Sequence, residues 1–221
     1  MGSTGTAAPS TRMSEAKWRT RLDLAACYRL VDEITASSLV KIDAEGNKVE
    51  PCDAQVNSAG FAMPSAVHMA RPEIACVLHT HSIAGCAISM QRDGLLPLNQ
   101  HALQVIGDIA YHDYEGAGRS SEERARLLAD LGDRHILVLR NHGLLIVGTS
   151  VPAAFIATYR MERACAMQLA FQQSGAAFHP ITDDVVTAAY SRPTGGRNEP
   201  AKFEWPALLR KLDRIDPSYK Q

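Results

Sequence analysis

Two histidines one residue apart, His79-Thr-His81, and a third in Asn141-His142-Gly143 sixty-one positions on, are the side chains of this sequence best suited to chemistry. The pair ends an apolar, β-branched run containing Ile74, Val77 and Leu78, a pattern that predicts a buried strand. Residues i and i+2 of a strand share a face, so both imidazoles project into one space. His142 closely follows a second such run, Ile136 to Leu139, with Gly143 directly after it. Three neutral imidazoles are a sufficient donor set for a catalytic divalent ion and leave at least one position open for substrate. The plain alternative is three hydrogen-bonded core histidines, and spacing alone leaves both open.

The elements that must position these residues follow from periodicity. Trp18 to Leu30 carries a helical apolar stripe, Leu39 to Ile42 reads as a short strand, and Ala44-Glu-Gly-Asn47 reads as a turn. A short helix is expected from Ser65 to Ala70, stopping before Arg71-Pro72. Small apolar residues from Ile83 to Met90 suit a helix on a sheet, and Gln104 to Ala110 is expected as a strand. Ser120 with Glu123 forms a capping-box pattern for a helix to Leu131, with Gly132 where a left-handed cap belongs. Leu144 to Val147 is a further buried strand, and Val151 to Gln173 a long helix with Pro152 in its first turn and Gly175 beyond its end. After the loop Thr194 to Pro200, an amphipathic helix over Trp205 to Arg214 is expected to start at Pro206. Alternating strands and helices imply an α/β layered domain.

Composition sets the outer bounds. At 221 residues, 46 % hydrophobic and 21 % charged, the chain suits one soluble domain, or two small ones, with a substantial core. A formal net charge of −1 without a basic run points away from nucleic acid, and no apolar stretch is long enough for a membrane helix. The first residues are small and polar, which predicts a flexible arm over 1–14 rather than a secretory signal. Five scattered cysteines without CxxC spacing suit a reduced, cytoplasmic protein.

Several stretches together carry a resemblance: Asp32-Glu-Ile-Thr through Asp43, Ala59-Gly-Phe61, Val67 to Glu73, His79-Thr-His-Ser82, Tyr111-His-Asp-Tyr-Glu-Gly116, Arg140-Asn-His-Gly143 and Trp205-Pro through Asp213. On these the chain resembles the class II aldolase/adducin family in its bacterial adducin-like branch, whose relatives include fuculose-phosphate aldolase and ribulose-phosphate 4-epimerase. The resemblance implies a three-layer αβα domain with a mostly antiparallel central sheet over 15–192, followed by a loop and helix over 193–221 that pack on the domain or on a neighbouring subunit. It also implies His79, His81 and His142 as metal ligands, a small-molecule substrate, and self-association as a homotetramer. Zn2+ is the expected ion, with Mn2+ or Fe2+ as alternatives.

Two departures from the family pattern matter. The sugar-phosphate aldolases place an acid/base glutamate just before the helix leading to the His-x-His strand. That position falls at Pro64 here, which can neither ligate nor move a proton. Family members also carry a loop-and-strand stretch between the first helix and the Asp-Glu-Ile-Thr segment, whereas here Leu30 runs straight into Val31-Asp-Glu33. That stretch supplies phosphate-binding amides in the aldolases, and its loss would expose a strand edge.

The chemistry implied is a carbon–carbon lyase, either aldolase or decarboxylase, on a hydroxy-carbonyl or keto-acid substrate. Decarboxylation needs no base for its bond-breaking step, so the lost carboxylate favours it or a weak aldolase. The proton-transfer residues advanced are His101, Tyr111 and Tyr114, from a stretch that also holds His112 and Glu115; His101 falls near a site tyrosine of some relatives. Asn141 is expected to fix the turn that aims His142, and Ser82 to cap the following helix or hold a ligand histidine. His68 is expected to bond within its helix junction, with His135 and His179 on the surface. The rival reading is an adducin-head-like oligomeric scaffold, with cytoskeletal binding only in that case, and the third a non-haem iron oxygenase.

Overall fold

The computed structural model describes residues 15–31, 41–43, 45–49, 53, 55–56, 58–116, 121–191 and 201–220. The expected arm over 1–14, the whole Asp32–Val40 stretch, Ala44 of the expected turn, Cys52, Ser120 and the loop 194–200 lie outside them. Eight α-helices and four strands are described: α1 (Glu15–Val31), α2 (Ser58–Ala70), β1 (Cys76–Thr80), α3 (Ile83–Ser89), α4 (Gln100–Val105), β2 (Ile109–His112), α5 (Ser121–Leu131), β3 (Ile136–Leu139), β4 (Gly143–Gly148), α6 (Val151–Ser174), α7 (Asp183–Tyr190) and α8 (Ala201–Ile215). No helix among the described residues is long and apolar enough to cross a membrane.

The strands form one sheet in the order β1-β4-β3-β2. β1 and β3 both run antiparallel to β4, while β2 runs parallel to β3. The sheet is therefore mostly antiparallel. Side chains alternate across it, and each face has its own helical layer. Ile136, Val138, Leu144 and Ile146 pack on one face with Ile88, Val105 and Met161, from α3, α4 and α6. Leu137, Leu139, Leu145 and Val147 pack on the other with Met63 and Val67 of α2 and Leu127 and Leu131 of α5. The expected αβα layering is thus present, and both central strands are covered on both sides.

A third cluster ties the ends of the chain to α6. Ala26 and Cys27 of α1 and Trp205 and Leu212 of α8 pack with Phe155 and Ile156, and Trp205 Nε1 donates to Asp23 at 3.0 Å. The closing helix thus docks on its own domain. Its start is corrected: α8 begins at Ala201, and Pro206 lies inside it. Glu204 in its first turn pairs with Arg160 of α6, which anchors the segment ahead of the proline.

Three other expectations change. The expected strand from Gln104 to Ala110 is α4, a 3-10 turn over Ile106–Asp108, and only then β2. Asn99 decides this by capping α4, its side chain accepting from the Ala102 N–H at 3.1 Å. The expected helix from Ser65 is the second half of α2, which begins at Ser58 and passes through Pro64. The proline removes one helical hydrogen bond, but Met63 and Val67 are buried against α5 and carry the helix past it. His135 is not a free surface residue, since its Nδ1 meets Asp108 at 3.2 Å.

Candidate metal centre

Strand pairing builds the site. His79 lies opposite Leu145 of β4, and its neighbour Thr80 opposite Leu144. His79 Nδ1 donates to the Leu144 carbonyl at 2.9 Å. A carbonyl can only accept, so the proton sits on Nδ1 and Nε2 offers its lone pair. His81, one residue past β1, brings its Nε2 to 2.8 Å from His79 Nε2.

His142 arrives from the turn between β3 and β4. Its N–H closes that turn on the Leu139 carbonyl at 3.1 Å, and Asn141 takes a left-handed φ of 57°. Asparagine tolerates that conformation better than most residues. Asn141 therefore shapes the turn that aims His142. Gly143 then lets β4 pass close to β1, because a Cβ there would stand 2.4 Å from the Thr80 carbonyl oxygen and 3.1 Å from His81 Cδ2.

The three rings converge, with centroids 4.6, 4.9 and 4.8 Å apart. One ligand nitrogen from each lies within 4.8 Å of the others. Zn–N bonds of about 2.0–2.1 Å in a tetrahedron set nitrogens roughly 3.4 Å apart, a spacing inside the 2.8 to 4.8 Å observed. Burial, and then repulsion from its two neighbours, lowers the pKa of His79 against the opposing effect of its Leu144 hydrogen bond. Burial and His81 lower that of His142, with Glu123 opposing. Both rings therefore favour the neutral form that ligates. The cluster fits a divalent ion.

On the opposite face of β1 a carboxylate holds the ligand segment. Thr80 Oγ1 donates to Glu162 Oε1 at 3.2 Å, and Ser82 Oγ to Glu162 Oε2 at 2.6 Å. Ser82 also accepts from Gly85 N–H at 3.0 Å as the cap of α3, so it holds the helix start rather than a ligand ring. Cys86 Sγ donates to the His142 carbonyl at 3.1 Å. Glu162, in the interior of a 24-residue helix, had no local signal in the sequence.

The other expected residues are spread out. The Tyr114 ring stands 6.2 Å from that of His142. It also borders an open groove of about 590 Å3 with Arg92, Asp113, Arg140 and Asn141. Tyr111 points to the opposite face of the sheet, where its hydroxyl accepts from Leu95 N–H at 3.0 Å and Arg140 lies 4.3 Å over its ring. That is a structural placement. His101 lies on α4 with Nδ1 buried and unpartnered, and lines neither groove beside the triad. His68 Nδ1 contacts the Ile74 carbonyl at 3.0 Å, within its helix junction as expected. Pro64 lies on α2, directly after Met63, which lines a recess shared with His142.

Comparison with known proteins fits this arrangement. The family model described as Class II Aldolase and Adducin N-terminal domain matches residues 23–169. A candidate class 2 aldolase of Pseudomonas aeruginosa is 41 % identical over 246 positions, covering 95 % of each chain. Since this chain has 221 residues, at least 25 of those positions face none of them. Mouse alpha-adducin is 39 % identical over 201 residues, spanning 84 % of this chain but 27 % of the adducin. The crystal structure of an aldolase II superfamily protein from Pseudomonas syringae superposes with a TM-score of 0.86 at 37 % identity, over 95 % of this chain and 98 % of that one.

Proposed function

The chain belongs to the class II aldolase and adducin family, and from that premise we propose that it is a divalent-metal-dependent carbon–carbon lyase acting on a small hydroxy-carbonyl or keto-acid substrate. The observation that carries this reading is the convergence of His79, His81 and His142, with the His79 tautomer set by Leu144 so that Nε2 is the ligand atom. Zn2+ suits three imidazoles best, with Mn2+ or Fe2+ as alternatives. When bound, the ion supplies Lewis-acid stabilisation of the negative charge that develops as a carbon–carbon bond breaks.

The chain's own residues do the rest. His79, His81 and His142 hold the ion from one side, and the open groove beside them admits a small substrate. Tyr114, exposed at the mouth, is the one of the three expected proton-moving residues that stands beside the triad. The protein acts as a homo-oligomer in the cytoplasm; burial pushes the thiols of Cys27, Cys76 and Cys165 up to about 12, which suits inert, reduced cysteines.

A scaffold role is the second reading, favoured by the similarity to alpha-adducin and by proline at position 64. Elemental analysis separates the two. The lyase reading expects about one ion per chain, lost in a His79→Ala/His142→Ala variant, and turnover of a hydroxy-acid and keto-acid panel with Zn2+, Mn2+ or Fe2+. Wild-type protein that takes up none of these ions supports the scaffold. Oxygen uptake with Fe2+ and no lyase turnover identifies an oxygenase.

A further inference from the structure

One guanidinium beside the triad has no carboxylate to answer it. Arg140 lies in the turn between β3 and β4, two residues before His142. Its Nη1 donates to the Gln91 carbonyl at 2.6 Å, and its Cζ stands 4.3 Å from the centre of the Tyr111 ring. The loop it grips is held in turn. Gln168 of α6, 1 % exposed, donates to Gln91 Oε1 and to the Gly94 carbonyl and accepts from the Leu96 N–H. Arg140 is therefore fixed before any ligand arrives, and little rotamer freedom is left to lose on binding.

A guanidinium carries five N–H donors, and Arg140 gives one of them to Gln91. Among the described residues the arginine ion pairs are those of Arg71, Arg126, Arg134 and Arg160, and neither Arg140 nor Arg92 has one. The buried polar atoms without a partner are on His101, His112 and Glu204, so the open donors of Arg140 reach solvent. Arg140 borders both the recess that includes His142 and the open groove of about 590 Å3 beside it. Arg92 and Asp113 line the same groove, and Asp113 pairs with neither arginine. Two guanidiniums against one carboxylate leave one positive charge in excess. A carboxylate balances that excess, whereas a phosphate monoester brings about −1.5 to −2 at pH 7. A carboxylate also matches the guanidinium fork with two parallel hydrogen bonds.

We propose that Arg140, with Arg92 at the rim, forms a carboxylate subsite, so that the substrate carries a carboxylate remote from the end held at the metal. Arg140 moves no proton; it orients the substrate by its far end. Because Arg140 and the ligand His142 belong to one turn, a single piece of backbone places both ends of the substrate. The stretch that supplies phosphate-binding amides in related aldolases is shortened here, and Arg140 stands on a different element. The inference rests on the lyase reading above and narrows its substrates to acids of this kind rather than sugar phosphates.

The test has two arms on full-length protein. In the first, metal-free protein is titrated with propionate and with methyl phosphate. Binding is followed through the 15Nε–H signal of Arg140, assigned by its loss in Arg140→Lys. Propionate is expected to shift that signal saturably, and methyl phosphate to bind no tighter. In the second, zinc-loaded protein meets short n-alkyl hydroxamates ending in a methyl, a carboxylate or a phosphate ester, with binding followed by calorimetry. For at least one chain length the carboxylate is expected to bind about tenfold tighter than the methyl probe, as a charge-assisted hydrogen bond does. That ratio, taken within each protein, should vanish in Arg140→Gln and fall about threefold in Arg92→Gln. Arg92 is exposed, so its variant keeps the measurement available if Arg140→Gln fails to fold. A carboxylate gain absent at every length, surviving Arg140→Gln, or unchanged in Arg92→Gln overturns the proposal. A propionate titration that leaves the Arg140 signal still, or a phosphate preferred about tenfold in either arm, overturns it as well. Failure of the methyl-ended hydroxamate to bind zinc-loaded wild type overturns the lyase reading instead, and the metal-free arm then decides the subsite by itself.

Discussion

The roles of single residues at the metal centre follow from distances too short to allow other side chains. Gly143 has no Cβ because β4 begins against the Thr80 carbonyl and the His81 ring. Gly143→Ala should force the two strands apart, costing about 1–3 kcal/mol in urea denaturation and weakening zinc uptake at least roughly tenfold. An alanine variant with unchanged zinc affinity would falsify the close-approach argument. Glu162 makes a different case, since it touches none of the ligands. It fastens the segment that carries them by accepting from Thr80 and Ser82 on the far face of β1. Glu162→Ala leaves two hydroxyls without their acceptor and should weaken zinc binding about 10–100-fold. Glu162→Gln, which keeps one acceptor oxygen, should lose markedly less. Equal losses in a zinc titration would mean that charge, not hydrogen bonding, is what Glu162 contributes.

At the scale of elements, α2 shows a local rule overridden by packing. A proline at its seventh residue removes one main-chain bond, yet the helix spans Ser58 to Ala70 because Met63, Val67 and their partners on α5 are buried together. Pro64→Ala restores an N–H for the helix and should raise stability by about 1–3 kcal/mol. A melting temperature unchanged or lowered in calorimetry would show that the helix is already distorted around position 64. The same contest explains what could be read in the sequence and what could not. The runs Ile136–Leu139 and Leu144–Val147 are apolar at every position because helices cover both faces, and they are legible for that reason. Spacing alone left the three histidines open between ligands and core residues, and it was the family resemblance that pointed to them as a ligand set. Gln104 to Ala110 misled because Val105, Ile106 and Ile109 suit a strand, while the deciding signal, the Asn99 cap, lies upstream of the apolar run. Glu162 and Asp130 were illegible for another reason. Glu162 meets Thr80 and Ser82 across 82 and 80 residues of chain and Asp130 meets His112 Nδ1 across 18, and no local pattern encodes a contact made only by folding.

For the whole molecule, the three layers explain why the site lies where it does. His79 belongs to the face covered by α2 and α5, and Thr80 to the face covered by α6. One strand thus presents a ligand on one side and its anchor on the other. The candidate metal centre itself lies at an edge of the described sheet, on β1 and the turn beside it, and two large apolar side chains stand exposed near it. Ile83, two residues beyond His81 at the start of α3, is 90 % exposed, and Met90 at the end of α3 is 61 % exposed. Where such exposed apolar side chains form one contiguous patch, they mark a surface that another protein covers. Family members oligomerise, and a second copy of this chain is the occupant proposed for this face. Burying one isoleucine on each side of a two-fold contact is worth about 1.5–3 kcal/mol per side chain, so its loss is large against the affinity of a weak oligomer. Ile83→Asp should therefore shift the protein towards monomer in sedimentation velocity, with an association constant lower by at least roughly tenfold. The isolated subunit should keep its ion, because all three ligands come from one chain. Wild-type-like sedimentation of Ile83→Asp would remove this face from the interface.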